Sequence, residues 1–290
     1  MKFGVLLAII TYTIWGLFPV YFHWLAAVAP LRVVAARIVS SFVLLVVLML
    51  ASRHLRGNWR PLFRARTLLI YSAAALLISL NWLVFVWTVS HQRILEASLG
   101  YFINPLLSVF MGVLWFHESL RKGQWLAIFL AAIGVLYLTV AFGHPPWIAL
   151  ALALSFSLYG LLKKCAPLDP LQGLTLETGL LLAPALWYLS GRHGVGSTGR
   201  LPLSVDILLV ASGAVTALPL WMFANAAQRI PLAVLGMLQY ITPTLQFLVG
   251  IALYHEPFPY TDRLGFSIVW LALCLFVTEG FWMRRRRPAY

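Results

Sequence analysis

Residues 92–118 read QRILEASLGYFINPLLSVFMGVLWFHE, and residues 228–256 read QRIPLAVLGMLQYITPTLQFLVGIALYHE. The first nine positions of the two stretches match at six. After a two-residue insertion in the second stretch, Pro105 aligns with Pro243, and the His-Glu pair at 117–118 aligns with the pair at 255–256. Apolar helices resemble one another by composition alone, but that does not produce an ordered series of polar, Gly and Pro positions. The chain therefore contains an internal duplication.

The two copies belong to a series of ten apolar stretches joined mostly by short loops. These stretches cover residues 3–24, 33–52, 68–89, 94–116, 124–142, 146–162, 171–190, 206–226, 232–254 and 264–283. Most are about 20 residues long, enough for a helix to cross a hydrocarbon layer of about 30 Å. The 290 residues are 62% hydrophobic and 10% charged, which is more apolar surface than a soluble domain can bury. Since strands in lipid leave backbone groups unpaired and the alternation of a barrel is missing, we predict an all-α polytopic membrane protein with ten transmembrane helices.

The duplication divides this series into halves. The copies are offset by about half the chain, and Gly-His-Pro-Pro at 143–146 interrupts the hydropathy between them. We therefore predict one five-helix repeat in residues 1–143 and a second in residues 144–290. Because five is odd, the second repeat is inverted in the membrane. Inverted repeats are typical of secondary transporters, which bind substrate near the membrane midplane and work by alternating access.

The charge of the chain indicates its orientation. A net charge of +13 is compatible with nucleic-acid binding, but the cations are dispersed between apolar runs and form no basic helical face, so we expect no nucleic-acid partner. With the N-terminus in the cytoplasm, fifteen Lys and Arg fall on the inside and five on the outside. By the positive-inside rule, both termini are predicted to be cytoplasmic.

Ionisable groups within apolar helices are costly and often functional. Glu177 lies about two turns into the seventh stretch, and Arg37 lies within the second. We predict that Glu177 couples transport to protons or binds a cation, paired with Lys163 or Arg37. The alternative is a buried ion pair that only fixes helix packing. Glu96, near the start of the fourth stretch, is expected to complement a helix dipole.

Polar and aromatic residues recur near the prolines of the duplicated stretches, and we predict that they surround a central substrate cavity. The prolines Pro105 and Pro243 each remove a backbone donor and are expected to kink their helices. The predicted cavity residues offer amide and hydroxyl groups for hydrogen bonds or aromatic rings for stacking. They are Trp15, Asn81, Tyr101, Asn104, Tyr159, Gln239, Tyr240 and Thr242. The alternative is that these residues only stabilise the packing of helices against one another.

Catalytic, metal-binding and ATP-binding motifs are missing from the sequence. The seven His residues have no ligand spacing, the two Cys residues lie far apart, and G-x-S-x-G, H-E-x-x-H and the P-loop pattern do not occur. We therefore predict no catalytic residues, no metal and no cofactor, and expect no direct coupling to ATP.

Residues 95–106, LEASLGYFINPL, resemble the signature of RarD-type permeases. These permeases, the chloramphenicol-sensitive protein family, belong to the EamA branch of the drug/metabolite transporter superfamily. Further matching positions are Tyr12–Tyr21 with Trp15-Gly16, Asn81-Trp82, Ser155–Lys164, Glu177-Thr178 and Leu235–Thr244. The chain departs from the pattern at His23, where relatives are expected to have Lys, and at His117, where Gly is usual.

The resemblance implies a bacterial inner-membrane protein of two inverted five-helix repeats that exports metabolites, amino acids or drugs. Its partners would be a small-molecule substrate and the lipid bilayer, as a monomer or a homodimer. Two alternatives remain open. One is a membrane-embedded enzyme acting on lipid or polyprenyl substrates, and the other is an accessory membrane protein that transports nothing.

Overall fold

The structure is a computed structural model that describes residues 2–51, 64–91, 93–141, 147–191, 202–254 and 260–286. Every regular element in these ranges is a helix. The helices are α1 (Lys2–Gly16), α2 (Phe18–His23), α3 (Pro30–Ala51), α4 (Ala65–Ser90), α5 (Ile94–Phe116), α6 (Lys122–Ala141), α7 (Trp147–Cys165), α8 (Pro170–Leu180), α9 (Leu182–Ser190), α10 (Leu203–Arg229), α11 (Leu232–Leu238), α12 (Ile241–Tyr254) and α13 (Tyr260–Arg286). The predicted boundary between repeats, at residues 143 and 144, lies outside the described ranges.

Three of the predicted stretches are interrupted shortly before a proline. Leu17 separates α1 from α2 and precedes Pro19, and Leu181 separates α8 from α9 and precedes Pro184. The gap between α11 and α12 precedes Pro243. Proline lacks a backbone N–H, and its ring clashes with the carbonyl four residues earlier, so a helix tends to stop there and restart.

Proline interrupts only some of the helices. Pro105 and Pro219 lie inside α5 and α10, which continue through them without a break. The kink predicted at Pro105 therefore does not appear as a helix interruption, whereas Pro243 does follow one. In α10 the Pro219 carbonyl accepts a hydrogen bond from Thr11 Oγ1 at 3.3 Å, so a side chain of α1 binds the backbone of α10 next to the proline.

Eight helical spans in the described ranges are long and apolar enough to cross a membrane. They cover residues 2–23, 30–51, 65–90, 99–116, 122–141, 147–165, 203–229 and 232–254. Large apolar side chains are exposed on the outer faces of these helices, and Leu69 and Val140, for example, are each 72% exposed. Exposed apolar surface on this scale requires lipid. The chain is an all-helical, multi-pass membrane protein.

The helices pack around two clusters of buried side chains. The larger cluster contains side chains from α1 to α5 and from α7 to α11. The smaller one joins α5 to α6, α12 and α13 through contacts such as that of Phe102 with Phe266, whose ring centroids are 4.8 Å apart. The larger cluster surrounds the site described below.

A close approach of α3 and α10 depends on one glycine. A Cβ added to Gly213 would lie 2.5 Å from the carbonyl carbon of Ser40 and 2.7 Å from the backbone nitrogen of Ser41. Ser41 Oγ also donates to the Gly213 carbonyl at 3.3 Å. This contact fixes α10 against α3 and so fixes the side chains that the two helices present to the bundle interior.

Candidate functional site

A cavity lies inside the larger core cluster, and we call it the central cavity. Fourteen residues from α1 to α5, α7, α10, α12 and the gap between α11 and α12 line it. They are Trp15, Phe18, Arg37, Ile78, Asn81, Trp82, Phe85, Tyr101, Phe156, Thr216, Leu220, Gln239, Thr242 and Gln246. The lining is therefore mostly aromatic and aliphatic, with one cation, three amides and two threonines, the composition expected of a site for a small organic molecule.

Arg37 supplies the charge of the central cavity and is only 1% exposed. Its Nε donates a 2.9 Å hydrogen bond to Thr216 Oγ1, while its Nη1 has no hydrogen-bond partner. The guanidinium carbon lies 4.7 Å from the ring centroids of both Phe22 and Trp82. Aromatic faces at this distance attract a cation, and they hold the guanidinium in place within an apolar wall.

Amide and hydroxyl groups form the remaining polar part of the lining. Asn81 Nδ2 donates to the Leu152 carbonyl at 3.0 Å, which anchors α4 to α7. Thr242 Oγ1 donates to the Tyr12 carbonyl at 3.0 Å. Gln246 Nε2 donates to the Trp15 carbonyl at 3.3 Å, but its Oε1 has no partner.

Aromatic rings form a continuous wall beside these groups. Trp15 lies 5.2 Å from Phe156 and 5.5 Å from Phe223, measured between ring centroids. On the opposite side, Phe85 and Tyr101 are 5.9 Å apart. Edge-to-face and tilted packing of this kind is stable, so the cavity has a firm apolar boundary.

The predicted coupling residues lie in a separate group, which we call the ion-pair cluster: Lys163, Glu177, Tyr159 and Tyr71. Lys163 Nζ is 2.8 Å from Glu177 Oε1, and Tyr159 donates to Glu177 Oε2 at 3.2 Å. Lys163 Nζ also lies 5.5 Å from the ring centroids of Tyr71 and Tyr159. Of the two partners considered for Glu177, the structure places Lys163 beside it and Arg37 in the central cavity.

The predicted cavity residues are thus divided among three places. Trp15, Asn81, Tyr101, Gln239 and Thr242 line the central cavity. Tyr159 belongs to the ion-pair cluster. Asn104 and Tyr240 lie outside both. Asn104 Oδ1 accepts a hydrogen bond from Ser157 Oγ of α7, while Asn104 Nδ2 has no partner. Tyr240 is fully buried, with its ring 6.0 Å from that of Phe102.

Several lining residues were missed in the sequence. Most are apolar, such as Phe18, Phe85 and Leu220, and carry no signal that separates a cavity wall from packed core. Gln246 does carry one, because it is a polar residue in an apolar helix four positions after Thr242, which places both on one helix face. Thr216, which accepts a hydrogen bond from Arg37, was not among the predicted cavity residues.

Acids, His, Ser and Cys do not occur among the described residues that line the central cavity. In the ranges that the structure describes, no three His, Cys, Asp or Glu residues form a group that could hold a metal ion. The lining can therefore bind and orient a molecule through one cation, amides, hydroxyl groups and rings, and its described residues include no carboxylate.

Known proteins resemble the chain over nearly its whole length. Residues 2–140 match the EamA-like transporter family. An uncharacterized transporter of Vibrio cholerae is 44% identical, covering 96% of this chain and 93% of the relative. Protein RarD of Salmonella typhimurium is 40% identical, covering 98% and 97%. The chloramphenicol-sensitive protein RarD of Pseudomonas aeruginosa is 32% identical, covering 94% and 92%.

A crystal structure with 17% sequence identity shares the fold. It superposes with a TM-score of 0.69 and covers 94% of this chain and 96% of its own. These relatives are named RarD or transporters, and each matches this chain over more than 90% of its own length. The apolar helices and the central cavity agree with those names. The chain belongs to the RarD-type permeases of the EamA-like transporter family and is a multi-pass membrane transporter.

Proposed function

We propose that the chain is a secondary transporter that moves small organic molecules by alternating access through the central cavity. The observation that carries this proposal is that both halves of the chain build the cavity. Tyr101 and Gln239 hold equivalent positions four residues before Pro105 and Pro243, and both line the cavity. A substrate site at the meeting of two inverted repeats is the arrangement that alternating access requires.

Paired hydrogen bonds support the two repeats, 1–143 and 144–290. Asn104 of α5, in the first half, accepts from Ser157 of α7, in the second half. In the second half, Thr242, the repeat equivalent of Asn104, donates to the Tyr12 carbonyl of α1. Since α1 and α7 are themselves equivalent through Trp15-Gly16 and Tyr159-Gly160, equivalent pairs of helices meet between the halves, although Thr242 binds the Tyr12 backbone and not Thr13, the position equivalent to Ser157.

The arrangement of contacts supports a state closed toward the cytoplasm. With cytoplasmic termini, Arg37 and Tyr101 lie about two turns from the outer ends of α3 and α5. Nearer the cytoplasmic ends, Tyr12 donates to the Leu235 carbonyl at 3.1 Å, and the ion pair of Lys163 and Glu177 joins α7 to α8. Rocking of one half against the other would have to break the contact between Tyr12 and Leu235, which belong to different halves, before the cavity reached the cytoplasm. The ion pair lies within the second half and would move with it.

The remaining parts of the proposal concern direction, coupling and location. We propose that the protein lies in the bacterial inner membrane, exports metabolites, amino acids or drugs, and uses Glu177 to couple export to protons. The name chloramphenicol-sensitive protein RarD, carried by the Pseudomonas aeruginosa relative, makes chloramphenicol one compound to test. A buried carboxylate beside a lysine is the kind of group that intramembrane proton relays use.

Counterflow in liposomes tests the proposal. Purified protein is reconstituted with an internal excess of one unlabelled candidate, and uptake of the same labelled compound is followed for amino acids, organic acids, amides and antibiotics. We expect transient accumulation of at least one compound. Passive equilibration of every compound in the panel, at the rate of protein-free liposomes, would contradict the proposal.

Two tryptophan substitutions in α10 give a matched pair for this assay. Leu220 is 4% exposed and lines the central cavity, whereas Leu218 is 43% exposed on the outer face of the bundle. Leu220→Trp should fill the cavity and abolish counterflow, while Leu218→Trp should leave it unchanged. If Leu220→Trp is correctly folded and transports at the normal rate, the substrate does not pass through this cavity.

A further inference from the structure

Arg37 is a buried cation for which no described residue supplies a counterion. No carboxylate oxygen in the described ranges lies within 4.0 Å of its guanidinium. Four of the described acids are engaged with other cations: Glu96 with Arg93, Glu118 with Lys164, Glu177 with Lys163 and Glu279 with Arg121.

Such a charge is expensive unless something compensates it. An unpaired ion in a low-dielectric interior costs several kcal/mol even after relaxation. The rings of Phe22 and Trp82 offset part of this cost through their faces. They do not satisfy the in-plane N–H groups, of which Nε donates to Thr216 and Nη1 has no acceptor. The guanidinium is therefore held in place with an unused donor at the wall of the central cavity.

From this geometry we propose that the central cavity selects organic monocarboxylates, with the substrate carboxylate bound at Arg37 Nη1 and the apolar part of the substrate against the Trp15 and Phe156 rings. Guanidinium and carboxylate form short, charge-assisted hydrogen bonds. One negative charge neutralises the one cation of the lining, whereas a phosphate monoester brings about −1.5 to −2 at neutral pH and would leave an excess charge among apolar side chains.

Neighbouring groups in the lining fit the same substrate class. Thr216 accepts from Arg37 Nε and so fixes the orientation of the guanidinium. The Gln239 side chain makes no hydrogen bond to any described residue and is free to donate to the second carboxylate oxygen. Gln246 Oε1, also without a partner, is free to accept a donor from the substrate body. A neutral amide of the same shape would leave the Arg37 charge uncompensated.

This inference rests on the transport proposal for its biological meaning, but binding tests it separately. The probes are acid and amide pairs of one shape: phenylacetate with phenylacetamide, and 3-phenylpropionate with its amide, together with phenylphosphonate. Thermal shift and saturable quenching of tryptophan fluorescence are measured with detergent-purified protein. We expect the carboxylates to bind about tenfold tighter than the amides, the ratio that one hydrogen-bonded charge contributes, and phenylphosphonate to bind more weakly than the carboxylates.

Two arginine variants separate the site from general charge. Arg37→Gln removes the cavity cation, and Arg93→Gln removes a cation whose side chain is 49% exposed and lies outside the cavity. Arg37→Gln should abolish the preference for the acid over the amide, and Arg93→Gln should retain it. If Arg37→Gln does not fold, Thr216→Val serves instead, because loss of the Nε acceptor should reduce the preference while the charge stays.

The outcomes also distinguish this inference from the transport proposal. Three results would overturn the carboxylate site. The wild type could bind acid and amide with equal affinity, it could show no saturable binding of either carboxylate up to the solubility limit, or Arg37→Gln could keep the preference for the acid. Counterflow of an amide at the same rate as its acid would also contradict the carboxylate site, but it would support the transport proposal. Saturable binding of a carboxylate without counterflow of any compound would contradict the transport proposal and support the carboxylate site.

Discussion

Lys163 Nζ lies 2.8 Å from Glu177 Oε1, and the two side chains are only 1% and 3% exposed. Tyr159 donates to the second carboxylate oxygen of Glu177 at 3.2 Å. The charge on each residue is thus compensated by the other, in contrast to Arg37 in the central cavity. Arg37 and Lys163, the two buried cations among the described residues, therefore have different roles: Lys163 pairs with an acid of the same protein, and Arg37 is available to a ligand.

Removing one member of this pair should destabilise the protein strongly. Glu177→Gln leaves the Lys163 ammonium buried without a counterion, which costs about 3–5 kcal/mol. We expect a large drop in melting temperature in detergent. The double variant Lys163→Gln with Glu177→Gln removes both charges and should recover most of that loss. A single variant as stable as the wild type would mean that the pair does not hold α7 to α8.

The same double variant tests the proposed coupling role of Glu177. Because it restores stability without restoring a titratable carboxylate, a change in its transport reflects coupling and not misfolding. We expect counterflow to persist and acceleration by an imposed pH gradient to disappear. If a pH gradient still accelerates transport in this variant, Glu177 is a structural residue.

Alanine at Gly213 should separate α10 from α3. The added Cβ would lie 2.5 Å from the Ser40 carbonyl carbon and 2.7 Å from the Ser40 oxygen, and backbone atoms cannot move aside as a flexible side chain does. We expect a loss of about 1–3 kcal/mol in stability, the usual cost of overpacking. Thr216 would move away from Arg37, so the preference for acids over amides should weaken as well.

Gly160 provides the matched control for that substitution. The nearest atom to a Cβ at Gly160 is Phe223 Cζ at 3.6 Å, an ordinary van der Waals distance. Alanine favours a helix over glycine by about 0.5–1 kcal/mol, so Gly160→Ala should melt at the wild-type temperature or above it. Equal losses for both variants would show that the close contact at Ser40 is not the cause.

Hydropathy and the duplicated motif were sufficient to predict that the apolar stretches are helices. Both signals depend only on the order of residue types within one stretch, and not on which helices are neighbours. The interruptions at Leu17 and Leu181 were not predicted. Proline favours a break wherever it occurs, yet α10 continues through Pro219, and the neighbouring helices decide which break forms. The count of ten crossings, the inverted repeat and the roles of the site residues stay predictions.

The composition of the cavity was only partly predictable. Tyr101 and Asn104 were both predicted to line the cavity, but three residues turn a helix by about 300°, so the two side chains point about 60° apart around α5. Tyr101 lines the cavity while Asn104 binds Ser157 of α7. The partner of Glu177 could not be chosen between Lys163 and Arg37 without knowing which helices are neighbours. α8 packs mainly against α3, the helix of Arg37, so even the helix neighbours do not decide it; the position of the Lys163 side chain, 2.8 Å from Glu177 Oε1, does.

Glu118 should stabilise the bundle far more than an ordinary surface acid. Its carboxylate accepts from the Leu232 and Ala233 backbone nitrogens at 2.7 and 2.8 Å, at the start of α11, and pairs with Lys164 at 3.1 Å. Glu118→Gln keeps one acceptor oxygen and loses the charge at the helix N-terminus, so we expect a loss of about 1–3 kcal/mol. Thermal unfolding in detergent measures it.

Glu279 is the control for Glu118. It pairs with Arg121 at 3.1 Å, but that arginine is 47% exposed, and exposed pairs contribute about 0–1 kcal/mol. Glu279→Gln should therefore change the melting temperature little. A similar small effect at both positions would indicate that the Glu118 carboxylate does not anchor α11.

Cys165 offers a direct test of the proposed orientation. It is a free, exposed cysteine at the end of α7, whereas Cys274 lies within the apolar helix α13. If both termini are cytoplasmic, a membrane-impermeant maleimide should label inverted membrane vesicles and not intact cells. Cys165→Ser should abolish the labelling. Labelling of Cys165 in intact cells would reverse the orientation.

His117 ends α5 in a left-handed conformation, with φ 49° and ψ 36°. This conformation costs a residue with a Cβ about 1–2 kcal/mol, and glycine adopts it without that cost. Glycine is also the residue expected here from the family resemblance. His117→Gly should raise the stability by about 1 kcal/mol, less than the full cost because glycine loses more backbone entropy on folding. His117→Ala removes the same imidazole but keeps the Cβ, so it should give no gain. If the two variants raise the melting temperature equally, the imidazole and not the backbone is the source of the strain.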